Sequence, residues 1–174
     1  MPLDLVLLRH APAAERDPVR WPDDALRPLT AAGRRDARRV SEGLRRLDVR
    51  PERVATSPAV RCAQTARIAA PILGDPAPRV ERWDELSFAG TPEGLLGRLA
   101  KEPASAASLL LVGHEPILGQ LIGLLVYGEP VAAVRLRRAG AARIEIPQRR
   151  SPGAGRLDWL LTRGQLAAMA GPST

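Results

Sequence analysis

Cysteine and histidine are scarce in this 174-residue sequence, which has one cysteine and two histidines. A single cysteine excludes a disulfide framework and any metal site built from several cysteines. The two histidines, at positions 10 and 114, are too far apart for an HExxH motif and too few for a histidine-rich metal centre, so we expect neither a metal ion nor another cofactor. No signal-peptide pattern opens the sequence and no apolar run approaches the length of a membrane span, so we expect no membrane partner and a cytoplasmic location.

Lysine and aromatic residues are also scarce, although the net charge is +7. Lys101 is the only lysine, and the aromatic residues are three tryptophans, one tyrosine and one phenylalanine. A basic surface is typical of proteins that bind nucleic acid or another anion. The arginines between positions 34 and 46, however, flank an apolar stripe at helical spacing and form the solvated face of a predicted helix. Because no aromatic residue is interleaved with them, we expect no nucleic-acid partner.

The distribution of apolar residues predicts a globular α/β fold. Apolar residues make up 45% of the chain, and its length fits one domain over 1–174. The pattern predicts strands at 3–8, 53–56, around Val80, and at 108–112, 131–136, 141–146 and 157–161; it predicts helices at 30–47, 57–73, 91–101 and 116–126. Early strands and helices alternate, which indicates a three-layer sandwich: a mostly parallel, doubly wound sheet with helices on both faces and the late strands as an antiparallel edge.

Local signals set the predicted element boundaries. Thr30, Ser57 and Thr91 are the predicted N-caps, and Pro58 takes the first helical position after Ser57. Residues 11–29 contain four prolines and form a long irregular loop, which in a small domain is either functional or disordered. The last residues, from 170 onward, are predicted to be frayed.

Both histidines follow predicted parallel strands. His10 comes after the strand at 3–8 and His114 after the strand at 108–112, while Arg61 lies in the first turn of the helix that follows a third strand. Open α/β sheets bind ligands at this carboxyl edge. Each residue alone has an ordinary explanation, such as a hydrogen-bonded core histidine or a surface arginine. Together with Arg9 they describe a phosphate site, because guanidiniums, imidazoles and a helix start all favour an oxyanion.

Other phosphate-binding motifs are missing. The sequence contains no GxxxxGK[ST] and no GxGxxG, and no Asp-x-Asp follows a strand to offer an aspartyl nucleophile. A cysteine-nucleophile phosphatase needs an arginine six residues after its cysteine, but Ile68 occupies that position relative to Cys62. We therefore interpret Cys62 as a small buried hydrophobic residue.

Four segments, in order along the chain, resemble the histidine phosphatase superfamily. LLRHA at 7–11 resembles its strand and Arg-His signature, with alanine where glycine is more usual, as in the SixA-like phosphohistidine phosphatase branch. RPLTAAG at 27–33 and TSPAVRCAQTA at 56–66 resemble the RPLTxxG and SPxxRAxQTA segments of that branch. VGHEP at 112–116 resembles its second-histidine motif. The resemblance implies a phosphoglycerate-mutase-like fold.

The resemblance also implies roles for individual residues. His10 is then the nucleophile, which forms a phosphohistidine intermediate without a metal ion, and Arg9, Arg61 and His114 hold the phosphoryl oxygens. A neutral imidazole is nucleophilic near pH 7, and guanidiniums stabilise the charge of a phosphoryl-transfer state. Arg27 either reaches the phosphate or fixes the loop that carries it.

The identity of a general acid is less constrained. DELSFAG at 84–90 resembles the stretch in cobalamin-type relatives whose first glutamate is the acid, which implies that role for Glu85. The alternative is a surface salt bridge between Glu85 and Arg82 or Arg79. The SixA-like branch depends less on an acid, because a phosphorylated imidazole leaves more easily than an alkoxide.

Three functions remain open at this point. The first is a phosphatase that acts on phosphohistidine in proteins. The second is a phosphatase for small phosphate esters on the same scaffold, and the third is a non-catalytic domain that binds anions or nucleic acid. The loop at 11–29 is shorter than the inserted helical cap of larger relatives, which favours an open site and a protein substrate.

Overall fold

The computed structural model describes residues 2–103, 105–131, 134–147 and 151–171. Its strands, β1 to β6 in chain order, are Leu3–Arg9, Arg53–Thr56, Arg79–Arg82, Ser108–Gly113, Ala141–Ile146 and Arg156–Leu161. They form one sheet in the order β3-β2-β4-β1-β5-β6. The first four strands are parallel, whereas β5 and β6 pair antiparallel with their neighbours. The predicted parallel sheet with an antiparallel edge is therefore confirmed.

Helices cover both faces of this sheet. The helices α1 to α5 are Ala31–Arg46, Val60–Leu73, Pro92–Leu99, Ile117–Tyr127 and Arg163–Met169. Side chains alternate along a strand, so β1 directs Val6 and Leu8 into an apolar cluster with α1, α2 and α5. Leu5 and Leu7 face the opposite cluster, with α3 and α4. The three-layer prediction is thus confirmed.

Among the described residues, no helix has both the length and the apolar character needed to cross a bilayer. The predicted solvated face of α1 is also present. Ala37, Val40 and Leu44 are buried in the first apolar cluster, whereas Arg34 and Arg35 are exposed.

Two of the three predicted N-caps are present and one is wrong. The side chains of Thr30 and Thr91 accept hydrogen bonds from the helix N–H groups of α1 and α3. Ser57 does not cap α2, which begins at Val60 with Ala59 as its N-cap. The reason is that the N–H of Ser57 donates to the carbonyl oxygen of Val112 at 3.0 Å, so Ser57 still belongs to the strand edge.

The sequence prediction also failed at two other places, before β5 and after β6. The strand predicted at 131–136 is not formed by residue 131 or by residues 134–136, and residues 132 and 133 lie outside the described residues. The peptide groups of Leu136 are instead bonded to two side chains: its N–H donates to Glu115 and its carbonyl accepts from Arg9. The prediction also missed α5, although Thr162 and Gln165 form a capping box at its start.

The contact between α1 and α5 depends on Gly43. A Cβ atom at this position would lie 2.0 Å from the carbonyl oxygen of Leu166, so the backbones of the two helices approach more closely than any larger residue allows. Gly97 in α3 is a contrasting case, because a Cβ there would meet nothing within 4 Å.

We expect Gly43→Ala to lower the free energy of unfolding by about 1–3 kcal/mol, since forced overpacking outweighs the better helix propensity of alanine. Gly97→Ala is the matched control and is expected to raise it by up to about 1 kcal/mol. Urea unfolding of both variants measures the difference. A Gly43→Ala protein as stable as the wild type would show that the two helices do not pack at this distance.

Candidate active site

The strand register brings the two histidines to one point on the sheet edge. β1 and β4 are parallel neighbours in which Arg9 lies opposite Gly113. The N–H of His10 continues this pairing and donates to the carbonyl oxygen of Gly113 at 2.9 Å. His10 and His114 therefore leave adjacent strands side by side. Together with arginines from β1, α2 and the 11–29 loop they line a cavity of about 180 Å³; these arginines are Arg9, Arg61 and Arg27.

His10 is held in one tautomer. Its side chain is 6% exposed, and its Nδ1 lies 2.8 Å from the carbonyl oxygen of Ala11. Because a carbonyl only accepts, Nδ1 carries the proton and donates it. Nε2 is then the nitrogen with the free lone pair, and it accepts a 3.3 Å hydrogen bond from Nε of Arg61.

The surroundings also keep His10 neutral. Burial lowers the pKa of His10 to about 3, against the opposing effect of the Ala11 hydrogen bond, and the charges of Arg61 and Arg9 lower it further. At neutral pH the imidazole is uncharged, which is the form in which Nε2 is a nucleophile.

Several buried nitrogens around the cavity are poorly satisfied by the described residues. Nε of Arg9 and both ring nitrogens of His114 are buried and make no well-aligned hydrogen bond to a described residue. Burial lowers the pKa of His114 and the charges of Arg61 and Arg9 add to this effect, whereas contacts with the backbone of Glu115 and Leu86 oppose it. Unsatisfied buried polar atoms are costly. Their gathering beside His10 fits an oxyanion, which would accept hydrogen bonds from the guanidinium nitrogens.

Asp24 orients the guanidiniums of Arg61 and Arg27, a role that the sequence analysis missed. It lies in a short 3₁₀ helix, Asp24–Leu26, within the 11–29 loop. Its carboxylate accepts hydrogen bonds from Arg61 Nη2 at 2.9 Å and from Arg27 Nε at 2.8 Å. Partial burial opposes the shift, but the hydrogen bond from Arg27 and the charge of Arg61 lower the pKa of Asp24. The only sequence signal was an acidic pair just before the RPLT segment.

Arg27 both lines the cavity and fixes the loop. Besides Asp24, it contacts the carbonyl oxygen of Ala14 through Nη1 at 2.6 Å. The two ends of the loop are fixed by the QT pair of α2. Thr65 Oγ1 accepts the N–H of Ala11 at 3.2 Å, and Gln64 Oε1 accepts the N–H of Leu29 at 2.8 Å. The loop is therefore anchored on the helix that carries Arg61.

Phe88 stands at the mouth of the cavity and was not singled out from the sequence. Its side chain is 54% exposed, yet its ring centroid lies 4.3 Å from that of His114 at an interplanar angle of 36°. The guanidinium carbon of Arg61 lies 5.1 Å from the same ring centroid. Phe88 thus shields one side of His114 and Arg61 from solvent.

The two glutamates near the site occupy different positions. Glu85 is half-buried in a second 3₁₀ helix, Asp84–Leu86, and it is not among the residues that line the cavity. Arg82, which was considered as its salt-bridge partner, pairs with Asp84 at 2.9 Å instead. Glu115 does line the cavity, but its Oε1 accepts the N–H of Leu136 at 2.9 Å.

No group of three or more histidine, cysteine, aspartate or glutamate side chains in the described ranges is arranged to hold a metal ion. Cys62 is buried, and burial raises the pKa of its thiol to about 12. The thiol is therefore protonated and unreactive at neutral pH, in line with its interpretation as a core residue.

Comparison with known proteins links this geometry to one family. The profile of the histidine phosphatase superfamily (branch 1) matches residues 5–137. An uncharacterized protein of Picosynechococcus sp. is 34% identical over 139 residues, 79% of this chain and 82% of that protein. Phosphohistidine phosphatase SixA of Escherichia coli is 31% identical over 130 residues, 73% of this chain and 76% of that protein. A solved structure of the protein histidine phosphatase SixA complexed with tungstate has a TM-score of 0.81 at 26% identity, covering 94% of this chain and 99% of that chain.

The low pKa of His10 gives a testable pH dependence. Because the folded pKa is about 3, we expect the imidazole C–H resonances of His10 not to titrate between about pH 8 and pH 5, where an ordinary histidine does. The unfolded state binds this proton first, so His10 should also reduce the stability of the fold as pH falls from about 6.5 toward 3. NMR titration, with His10→Gln to assign the signals, measures the pKa. A midpoint near 6.5 would contradict the buried neutral imidazole.

Proposed function

Because the chain belongs to the histidine phosphatase superfamily, we propose that it hydrolyses phosphohistidine in proteins through a phosphorylated His10. Phosphatase activity follows from the family; the substrate and the roles of individual residues are the proposal. The observation that carries it is the state of His10, whose neutral ring donates through Nδ1 to Ala11 and keeps the lone pair of Nε2 beside Arg61.

The chemistry takes place in two displacements. First, Nε2 of His10 attacks the phosphorus atom and forms an N–P bond, while the bond from phosphorus to the substrate nitrogen breaks and leaves its electron pair on that nitrogen. If the other ring nitrogen of the substrate histidine is protonated, it departs as a neutral imidazole. Water then attacks the phosphorus of phospho-His10, releases phosphate and a proton, and restores the neutral ring.

The residues around His10 supply charge stabilisation for both steps. Arg9 and Arg61 offer guanidinium N–H groups to the phosphoryl oxygens, whose negative charge spreads over three atoms in the transition state. After the attack the ring of His10 is cationic, and the carbonyl oxygen of Ala11, 2.8 Å from Nδ1, stabilises that charge. The buried imidazole of His114 also lines the cavity.

The preference for phosphohistidine rests on the leaving group. A protonated phosphoimidazole needs no proton donor from the enzyme, whereas an alkoxide does. Glu85 is not among the residues that line the cavity, and Glu115 already accepts a backbone N–H. A cavity of about 180 Å³ accommodates a phosphoryl group and leaves most of a larger substrate outside. The similarity to a phosphohistidine phosphatase of Escherichia coli supports the same substrate class.

We expect His10→Ala to abolish turnover of a phosphohistidine protein, because no other described group offers a nucleophilic lone pair at this position. Steady-state phosphate release measures activity, and circular dichroism with thermal unfolding checks that the fold is intact. Chelating agents should leave wild-type activity unchanged. Substantial turnover by a folded His10→Ala protein would overturn the proposed nucleophile.

We expect Glu85→Gln to distinguish the two substrate classes. If Glu85 is the general acid, the substitution should slow hydrolysis of alkyl phosphates by about 10²–10⁴-fold. It should barely affect hydrolysis of phosphohistidine, whose imidazole leaves without a proton donor. Glu129→Gln, at an exposed position, is the matched control. Equal losses of kcat/KM on both substrates would mean that Glu85 supports the fold, and no loss on either would identify it as a surface carboxylate.

A further inference from the structure

A second, larger groove adjoins the phosphate cavity. It has a volume of about 470 Å³ and is lined by Pro12, Arg137, Arg138, Thr162, Arg163 and Gly164. Arg138 also lines the phosphate cavity, so the two share one wall residue. We propose that this groove binds an acidic stretch of the phosphorylated protein next to the histidine that is dephosphorylated. The inference rests on the proposed function and names the kind of partner that the site accepts.

Two of the three arginines that line the groove have no carboxylate partner among the described residues. Arg137 and Arg138 are exposed, and neither pairs with a carboxylate of the described residues within salt-bridge distance. Arg163 is different, because it contacts Asp36 at 2.6 Å. Two guanidiniums therefore remain available for the carboxylates of a ligand, and such pairs are strongest when they are bidentate.

The positive charge of the groove extends to the phosphate cavity. Burial, partly opposed by Glu115, lowers the pKa of Arg9, and the charges of Arg138 and Arg135 lower it further. The arginines at 135–138 and those that line the cavity thus form one electropositive surface. Such a surface attracts an anionic partner before the phosphoryl group enters the cavity.

The backbone holds the groove at a set distance from the nucleophile. The N–H of Ala139 lies 3.2 Å from the carbonyl oxygen of Arg9 and 3.1 Å from that of His10. On the other wall, Pro12 is only two residues after His10. A substrate chain that enters the groove therefore takes a fixed position relative to Nε2 of His10. Because an extended chain advances about 3.3 Å per residue, we place the acidic side chains that contact Arg137 and Arg138 close to the phosphohistidine in the substrate sequence.

The lining favours a polypeptide over a nucleic acid. None of the six groove residues is aromatic, whereas proteins that bind single strands stack bases on aromatic rings. Charged groups without a stacking surface suit aspartate and glutamate side chains, which need only the guanidinium donors.

Two phosphohistidine peptides test the proposal. They are identical except that the residues at the first few positions on each side of the phosphohistidine are glutamate in one and glutamine in the other. We expect the wild type to prefer the glutamate peptide by about tenfold in kcat/KM, the effect of one charge-assisted hydrogen bond. Arg137→Glu should remove this preference. The matched control is Arg67→Glu, an exposed position on α2 that lines neither cavity, and it should keep the preference. A wild-type ratio near one, or a ratio unchanged in Arg137→Glu, would overturn the proposal.

A binding measurement separates the groove from the proposed function. Fluorescence anisotropy of the unphosphorylated glutamate peptide should give an affinity that falls about tenfold in Arg137→Glu and stays the same in Arg67→Glu. This result would support the groove even if neither phosphopeptide were hydrolysed, which would refute the phosphohistidine substrate alone. Equal affinities for the glutamate and glutamine peptides would reject an acidic polypeptide as the ligand. The same conclusion would follow if a single-stranded oligonucleotide displaced the bound peptide at a lower concentration than free glutamate peptide does.

Discussion

The hydrogen bond from Nδ1 of His10 to the carbonyl oxygen of Ala11 is the interaction on which the rest of the site depends. It decides which ring nitrogen carries the proton and therefore which one attacks. Without it, Nε2 could be protonated and would repel the Nε–H of Arg61, from which it now accepts. Thr65 holds Ala11 in place by accepting its N–H, so the tautomer of His10 is set by the same helix that positions Arg61.

Concentrating cations around a buried imidazole carries a cost in stability. Burial and the charges of Arg61 and Arg9 keep His10 neutral, and Nε of Arg9 is buried without a hydrogen-bond partner among the described residues. Asp24 offsets part of this cost by bonding both Arg61 and Arg27. Its position on the 11–29 loop ties the loop to the phosphate cavity. The loop is therefore part of the site.

The sequence predicted the sheet and the placement of the histidines because both depend on local patterns. An apolar strand followed by Arg9 and His10, and a second one followed by His114, were enough to locate the edge. Contacts distant in sequence could not be predicted in the same way. Asp24 has no signal that distinguishes it from a surface acid until α2 is packed beside the loop.

The errors have the same origin. Ser57 has the composition of an N-cap but is held by a strand 55 residues away in sequence, through Val112. The apolar run around Leu136 reads as a strand, yet its peptide group is bonded by the side chains of Arg9 and Glu115. In both cases tertiary hydrogen bonds override a local preference. Leu136 is bonded in this way to two residues that line the cavity, Arg9 and Glu115.

The most direct test of the account is to identify the phosphorylated atom of the enzyme. The wild type is mixed with a phosphohistidine protein, quenched in alkali, in which a phosphoramidate survives, and digested for mass spectrometry and ³¹P NMR. The account predicts a single phosphorylated residue, His10, modified on Nε2, because Nδ1 is bonded to Ala11. A phosphoryl group on Nδ1 of His10 or on His114 would contradict this prediction. Turnover by an enzyme in which no residue becomes phosphorylated would also contradict it.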